Sequence, residues 1–304
     1  MVAAQAKVNL RLRVLARETT GFHQIETLFL RLDLADTVVV RRTSGARTID
    51  VAGDGDLSAL GAAEDNLAWR AAASYFAASG MPGGFAIEIT KRIPIGGGLG
   101  GGSADAGAVI RALEAMSETA VGQQQQMSLA ARLGSDVPFL TTEHVLALAW
   151  GRGERLLALD TLPPRAVLLV VPAFGINTAA AYGWLAEARE ARIARGEGGG
   201  HGSDAHVLDI PTLSDWDRIA PLACNDFESS VGERYPAIAA HIGTLRSLGL
   251  PVAMLSGSGS TVFGIAPSTD YRFGVTPSGG GETSDARYIV TQTATRVEPP
   301  SVME

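Results

Sequence analysis

Six glycines stand within seven residues, at Gly96, Gly97, Gly98, Gly100, Gly101 and Gly102, broken only by Leu99 and followed by Ser103. Each adds backbone entropy that folding must overcome, roughly 0.5–1 kcal/mol relative to alanine, so packing alone does not explain the cluster. Bare backbone lets N–H groups approach a polyphosphate. A helix that starts just after the loop would turn its positive end toward the same charge. Ser103 has the side chain both to cap such a helix and to offer a hydroxyl to phosphate or Mg²⁺. A flexible turn between strand and helix is the competing explanation for a glycine cluster.

Two known phosphate loops fit poorly. A Walker A loop needs Lys before Ser or Thr at the helix start, and no lysine occurs there. A dinucleotide fingerprint can be laid over Gly96, Gly98 and Gly101, yet the acidic residue expected about 20 positions later is replaced by the run Gln123–Gln126. The five histidines, at 23, 144, 201, 206 and 241, show no HExxH-type spacing, which leaves a metallohydrolase unsupported.

Other residues have the chemistry to complete a site, and each has an ordinary reading beside it. Asp136, with Pro138 close behind, is either a helix N-cap or a general base. Lys7 and Asn9 share one parity of a strand, where Lys7 is either exposed or the partner of a carboxylate. Asn66, after Glu64 and Asp65, has a helix-start position. Gly257, Ser258 and Gly259 form either a tight hairpin or a second set of bare amides. His23 follows Gly21 in a loop setting, and Tyr182 sits at a helical spacing that suits packing.

These residues need elements to position them. Val8, Leu10, Leu12 and Val14 alternate with Lys7, Asn9, Arg11 and Arg13, the period of a half-buried strand. Leu28 to Leu34, Thr37 to Val40 and Phe85 to Thr90 also read as strands. Asn66 to Ser79 reads as a helix stopped by Gly80, and Ala104 to Met116 as the helix after the glycine loop. Further on, strands are expected at 146–149, 155–157, 166–171, 252–255, 261–265 and 287–293. Helices are expected at 178–192, 217–231 and 236–248. The segments Gly196 to Asp204 and Ser278 to Asp285 lack periodicity and read as surface loops.

Composition narrows the class. At 304 residues two lobes are expected, and a cleft between lobes is a common place for a small-molecule site. With 46% hydrophobic and 19% charged residues, the chain has the apolar material for packed cores. The net charge of −7 supplies no footprint for nucleic acid. Cys224 is the only cysteine, which excludes an intramolecular disulfide and fits a reducing cytoplasm. The longest apolar stretch is too short to span a bilayer, so no membrane partner is expected.

Pro94 to Asp105, reading PIGGGLGGGSAD, resembles the second signature of the GHMP kinases, in the form carried by the branch that acts on a cytidine-diphosphate-linked methylerythritol. Ala6–Leu10, Gly21–Phe29, Leu133–Phe139, Gly151–Arg155, Asn225–Glu228 and Leu255–Gly259 match that branch in order and spacing. The resemblance implies an α+β, two-lobed fold: a ribosomal-protein-S5-domain-2-like lobe over 1–160, a ferredoxin-like lobe over 161–304, and an active site in the cleft. It implies a cytoplasmic small-molecule kinase, monomer or weak homodimer, that phosphorylates the 2-hydroxyl of the methylerythritol unit with ATP and Mg²⁺ on the non-mevalonate route to isoprenoid precursors.

Matching positions imply Asp136 as base and Lys7 as its partner. Asn66, Pro94, Gly96–Gly102 with Leu99, and Ser103 would hold ATP, Ser103 being the one metal candidate. Asn9, Phe22, His23, Asp136, Thr178, Tyr182, Gly257, Ser258 and Gly259 would meet the substrate, with His23 at the cytosine edge and Tyr182 stacked on it. Phe22 stands where relatives often carry Tyr. The Gly196–Asp204 insert is longer than the family pattern, and the Ser278–Asp285 region lacks the helix expected near its end. The alternatives are another GHMP kinase, of homoserine or mevalonate type, and a non-catalytic nucleotide-binding relative.

Overall fold

The computed structural model of the chain describes residues 1–19, 21–53, 57, 61–197, 208–274 and 286–301. Most of the Gly196–Asp204 insert, all of Ser278–Asp285, and the histidines at 201 and 206 lie outside those residues.

The alternation at the N-terminus becomes β1 (Val2–Arg17), paired antiparallel with β2 (His23–Thr43). The expected half-exposed strand is buried on both faces. Val8 and Leu10 are 0% exposed, while Lys7 is 3% and Asn9 2% exposed on the other parity. The polar face is covered as well, so Lys7 and Asn9 are buried among neighbouring groups and not solvated. The two expected strands at 28–34 and 37–40 are one continuous strand, with register shifts in its partner between Gln5 and Lys7, Asn9 and Arg11, and Val14 and Ala16. A bulge re-aims side chains without ending a strand.

β3 (Arg47–Gly53) runs parallel to β4 (Gly84–Lys91), and α1 (Leu67–Ser79) connects them. Asn66 caps α1 by accepting from the Ala68 amide at 2.9 Å, and Gly80 ends it in a left-handed conformation at φ 67°. After the glycine loop comes α2 (Gly101–Met116), its middle from Ala104 to Leu113 wholly buried against the sheet. α3 (Gln123–Leu133) was not expected, since its glutamine-rich start hides the apolar spacing that seats Leu129 and Ala130. The short α4 (Val137–Thr141) and the hairpin β5 (Leu146–Gly151) and β6 (Arg155–Leu159) complete the first half.

A second, antiparallel sheet has the order β11 (Ala286–Gln292), β7 (Ala166–Pro172), β10 (Val262–Ile265), β9 (Val252–Leu255). α5 (Thr178–Ala194) and α8 (Pro236–Ser247) fall where periodicity placed them. The helix expected over 217–231 does not form. It is divided into α6 (Trp216–Ile219), a 3₁₀ turn at Ala220–Leu222, the two-residue strand β8 (Cys224–Asn225) and α7 (Glu228–Arg234). Pro221 lacks a donor for a continuing helix. Cys224 and Asn225 instead pair parallel with Arg11 and Leu12, so the second half of the chain adds a strand to the first sheet, whose order is β3-β4-β2-β1-β8 with β5 also on β2.

Candidate active site

Four of the six loop glycines are also required by packing, because a side chain on any of them would press on its neighbours. A Cβ on Gly97 would meet the Thr261 hydroxyl at 2.5 Å, and one on Gly98 the Ser256 carbonyl oxygen at 2.3 Å. A Cβ on Gly100 would press on the Lys7 side chain at 3.0 Å, and one on Gly101 on Ile93 at 3.1 Å. Gly96 has nothing within 4 Å, and Gly102 has only Leu67 at 3.8 Å. Both, with Gly101, line a cavity of about 210 Å³ together with Asn66, Pro94, Ile95, Lys91 and Asp105. Asn66 and Pro94 are thus brought to the loop as the motif implied. Ser103 is not the helix cap: α2 begins at Gly101 with Gly100 at its N-cap, so the Ser103 hydroxyl projects from the first turn.

Lys7 joins the loop to the carboxylate. Its ammonium lies 3.2 Å from Asp136 Oδ2, donates to the Gly98 carbonyl at 3.2 Å and donates to Asn9 Oδ1 at 2.9 Å. An ammonium has three N–H donors, and three acceptors surround this one. Asn9 in turn donates to the Thr27 hydroxyl at 2.7 Å. Asp136 occupies the N-cap position of α4, in helical conformation at φ −87°, but makes no side-chain cap bond, and its carboxylate pairs with Lys7 instead. Lys7 is buried, whereas the Asp136 side chain keeps 28% exposure, enough to meet a substrate hydroxyl.

The 256–260 segment forms the expected hairpin and makes a second contact that the chain did not announce. It is a hairpin turn between β9 and β10, with the Gly259 amide donating to the Ser256 carbonyl at 2.9 Å. It is also stitched to the glycine loop: Ser256 Oγ donates to the Gly98 carbonyl at 3.0 Å and the Thr261 amide to the Gly97 carbonyl at 3.1 Å. Asn225 donates to the carbonyls of Leu255 and Gly257 at 2.9 and 2.7 Å, which is why β8 sits where it does. Ser258 and Thr178 share a hydroxyl hydrogen bond of 2.9 Å.

Below the loop lies a buried ionic cluster that the candidate residues did not include. Lys91 Nζ is bonded to Asp36 Oδ2 and, at 2.7 Å, to Asp105 Oδ2. Asp36 Oδ1 accepts the amides of Arg92 at 2.5 Å and Ile93 at 2.8 Å, while Asp105 Oδ1 has no hydrogen-bond partner among the described residues. Burial pushes the Asp105 carboxyl up to about 7 against the pull of Lys91, with Asp36 adding to the rise. Asp105 closes the PIGGGLGGGSAD segment, and a carboxylate at a fully apolar helix position was the available signal.

His23 and Tyr182 come together, their rings stacked at 4.2 Å with planes 14° apart. Burial, with Arg17 and Arg189 nearby, depresses the His23 imidazole below its usual value, so it is neutral at pH 7. The Tyr182 phenol is pushed up to about 12 by burial and by the charge of Asp136, which ties this aromatic pair electrostatically to the carboxylate. Phe22 goes elsewhere: its exposed ring lies under the Arg152 guanidinium at 4.2 Å, in a groove shared with Gly134, Ser135 and Trp150.

The chain matches the family model for the GHMP kinases N terminal domain over residues 66–144 and that for GHMP kinases C terminal over 209–273. It is 37% identical over 278 residues to a 4-diphosphocytidyl-2-C-methyl-D-erythritol kinase of Geobacter metallireducens, covering 90% of this chain and 92% of the relative. A protein of the same description from Thermus thermophilus is 37% identical over 272 residues, 88% of each chain. A crystal structure of 4-(cytidine 5'-diphospho)-2C-methyl-D-erythritol kinase superposes with a TM-score of 0.66 at 32% identity, covering 96% of this chain and 98% of the other. The homoserine kinase of Cytophaga hutchinsonii shares the fold, at TM-score 0.63 and 17% identity over 99% of this chain and 98% of its own. The two-sheet α+β architecture, its glycine loop and these likenesses together place the chain in the 4-diphosphocytidyl-2-C-methyl-D-erythritol kinase family of GHMP kinases.

Proposed function

We propose that this protein transfers the γ-phosphate of ATP to the 2-hydroxyl of 4-(cytidine 5'-diphospho)-2-C-methyl-D-erythritol, giving the 2-phosphate. The observation that carries the reading is the position of Lys7, whose ammonium touches both the Gly98 carbonyl of the glycine loop and the Asp136 carboxylate. An alcohol is a poor nucleophile, so a carboxylate must orient it and take its proton as the oxygen bonds to the γ-phosphorus and the bond to the β-phosphate oxygen breaks. Asp136 has the exposure for that role. Lys7, with its donors already spent on protein acceptors, acts by charge, offsetting the negative charge of the transferring group.

The open face of Gly96 and Gly102 suits the nucleotide's phosphates, with Asn66 and Pro94 beside them. Gly97, Gly98 and Gly100, with Leu99, shape the loop behind that face, and Gly101 borders the same cavity. Among the described residues no group of three or more His, Cys, Asp or Glu side chains is placed to hold a metal ion. Bound with the nucleotide's phosphates, Mg²⁺ would supply charge neutralisation, and Ser103 would be the residue of this chain to meet it. On the substrate side, the neutral imidazole of His23 and the ring of Tyr182 suit the edge and face of cytosine. Asn9, Thr178 and the amides of Gly257 to Gly259 suit the diphosphate and polyol. Phe22, turned toward Arg152, borders this region from the next groove.

We place the two lobes at 1–160 and 161–304, and take the enzyme to act as a monomer or weak homodimer in the cytoplasm. Among the described residues no helix is long and apolar enough to cross a membrane.

The test is a substrate panel. Purified protein should consume ATP with the cytidylylated substrate and leave free methylerythritol, mevalonate and homoserine untouched. Turnover of mevalonate or homoserine instead would move the chain to another GHMP specificity.

A further inference from the structure

Arg31 is fully buried, and among the described residues it pairs with no carboxylate. Burial and the proximity of Arg111 push its guanidinium down only to about 9, so it is cationic at neutral pH. An isolated buried cation is costly unless acceptors surround it. Here the acceptors are backbone carbonyls: Arg31 donates from Nη2 to Phe139 at 3.0 Å and to Thr142 at 2.8 Å, and from Nε to His144 at 2.9 Å. Phe139 lies in the middle of α4, Thr142 is its C-cap and His144 follows just past its end, while Asp136 flanks the helix at its start.

Arg31 is also the direct cross-strand partner of Lys7 on β1. The two cations therefore stand side by side on one face of the sheet. Two stacked rings lie between their charges: Lys7 Nζ is 5.7 Å from the Phe29 ring, Phe29 stacks on Phe139 at 4.9 Å, and the Arg31 guanidinium is 5.0 Å from Phe139. α4 has only five residues, too short to hold its own orientation. It is gripped at its start by Lys7, through the neighbouring carboxylate, and at its end by Arg31.

We propose that Arg31 is a positioning residue for the phosphoryl transfer, holding the C-terminal carbonyls of α4 so that Asp136 stays within reach of both Lys7 and the acceptor hydroxyl. This rests on the proposed role of Asp136. It assigns to a residue outside the substrate and nucleotide sites a share of the turnover rate without a share of nucleotide binding.

The experiment compares Arg31→Met and Arg31→Lys with Arg111→Met and Arg111→Lys. Arg111 is also buried and bonds two backbone carbonyls, those of Ala3 and Glu298, neither of them in α4. Displacement of a reacting group by about 1 Å can cost on the order of a hundredfold in rate, so Arg31→Met should lose at least about tenfold in kcat with the KM for ATP within about threefold. Arg31→Lys, which keeps the charge but not the three-way fork, should fall between the two. The Arg111 variants should lose thermal stability while keeping kcat. Equal kcat losses at Arg31 and Arg111, or an Arg31→Met enzyme with undiminished kcat, would overturn the proposal.

If Arg31→Met does not fold, the two lysine variants decide by the same criterion. Hydrogen exchange of the 137–141 amides gives a readout independent of the substrate assignment: it should accelerate in the Arg31 variants and not in the Arg111 variants. Wild-type protein inactive on the cytidylylated substrate would count against the proposed function alone, because unchanged exchange at 137–141 is what would count against the anchoring.

Discussion

The imidazole of His23 lies flat on the phenol ring of Tyr182, with centroids 4.2 Å apart. One residue opens β2 and the other belongs to the first turns of α5, so the contact joins the first sheet to the second half of the chain. A flat base could stack on the Tyr182 ring in the same manner.

Tyr182→Ala should therefore raise the KM for the cytidylylated substrate by roughly 5- to 150-fold, the range expected for losing a base-stacking contact of about 1–3 kcal/mol. The KM for ATP should not change. Tyr182→Phe should behave as wild type between pH 6 and pH 9, because the phenol, with its pKa near 12, is never ionised in that range. Steady-state kinetics in each substrate check both statements.

Asp136→Asn keeps the size of the side chain and removes the proton acceptor. Turnover should fall by roughly 10²–10⁴-fold. Stabilisation of the protein by ATP, followed by thermal shift, should persist. A variant with near-normal turnover would remove Asp136 from the chemistry.

The glycine loop predicts opposite outcomes for two alanine substitutions. Gly98→Ala drives a methyl to 2.3 Å from the Ser256 carbonyl oxygen at φ +79°, a backbone conformation that by itself costs a non-glycine residue about 1–3 kcal/mol. Its melting temperature should drop. Gly102→Ala meets only Leu67 at 3.8 Å and lies in a helix, where alanine is favoured by up to about 1 kcal/mol. That variant should be as stable as wild type or more so, yet bind ATP less well, because the added methyl fills the open face of the cavity.

The Asp36–Lys91–Asp105 cluster predicts a pH dependence of stability. The folded-state pKa of Asp105, about 7, is raised above the ordinary carboxylate value, so between roughly pH 4 and pH 7 the folded protein binds more protons at this site than the unfolded chain. Stability from this group is greatest at the acid end and declines as pH rises through 7. Asp105→Asn should flatten the curve of melting temperature against pH over that interval. A slope identical to wild type would show that the Asp105 carboxyl is ionised throughout.

Much of the site was legible in the chain. The strand, glycine loop and helix order around 85–116 was readable because alternation, bare backbone and helical spacing are local signals. Lys7 and Asn9 were correctly placed on one side of a strand by parity alone, and they hydrogen-bond at 2.9 Å. The division of 217–231 was harder: an amphipathic run was outweighed by Pro221 and by a two-residue pairing with β1. Asp105, Asp36 and Lys91 were missed because an ion cluster drawn from three separate elements leaves no spacing to recognise.

By itself the sequence determined which segments become helices and strands over most of the chain, where unhindered backbone is available, and the order of motifs that marks the family. Tertiary structure decided what each residue does. The Gly98 carbonyl receives the ammonium of a residue 91 positions away and the hydroxyl of one 158 positions away. That meeting turns one glycine into a seam and leaves another facing open space. It directs Asp136 to Lys7 instead of to its own helix, and it sends Phe22 to Arg152. The physical reason is that periodicity and backbone entropy act over a few neighbouring residues, whereas the register of β1 on β2 and the docking of the β9–β10 hairpin are settled only when distant surfaces pack together.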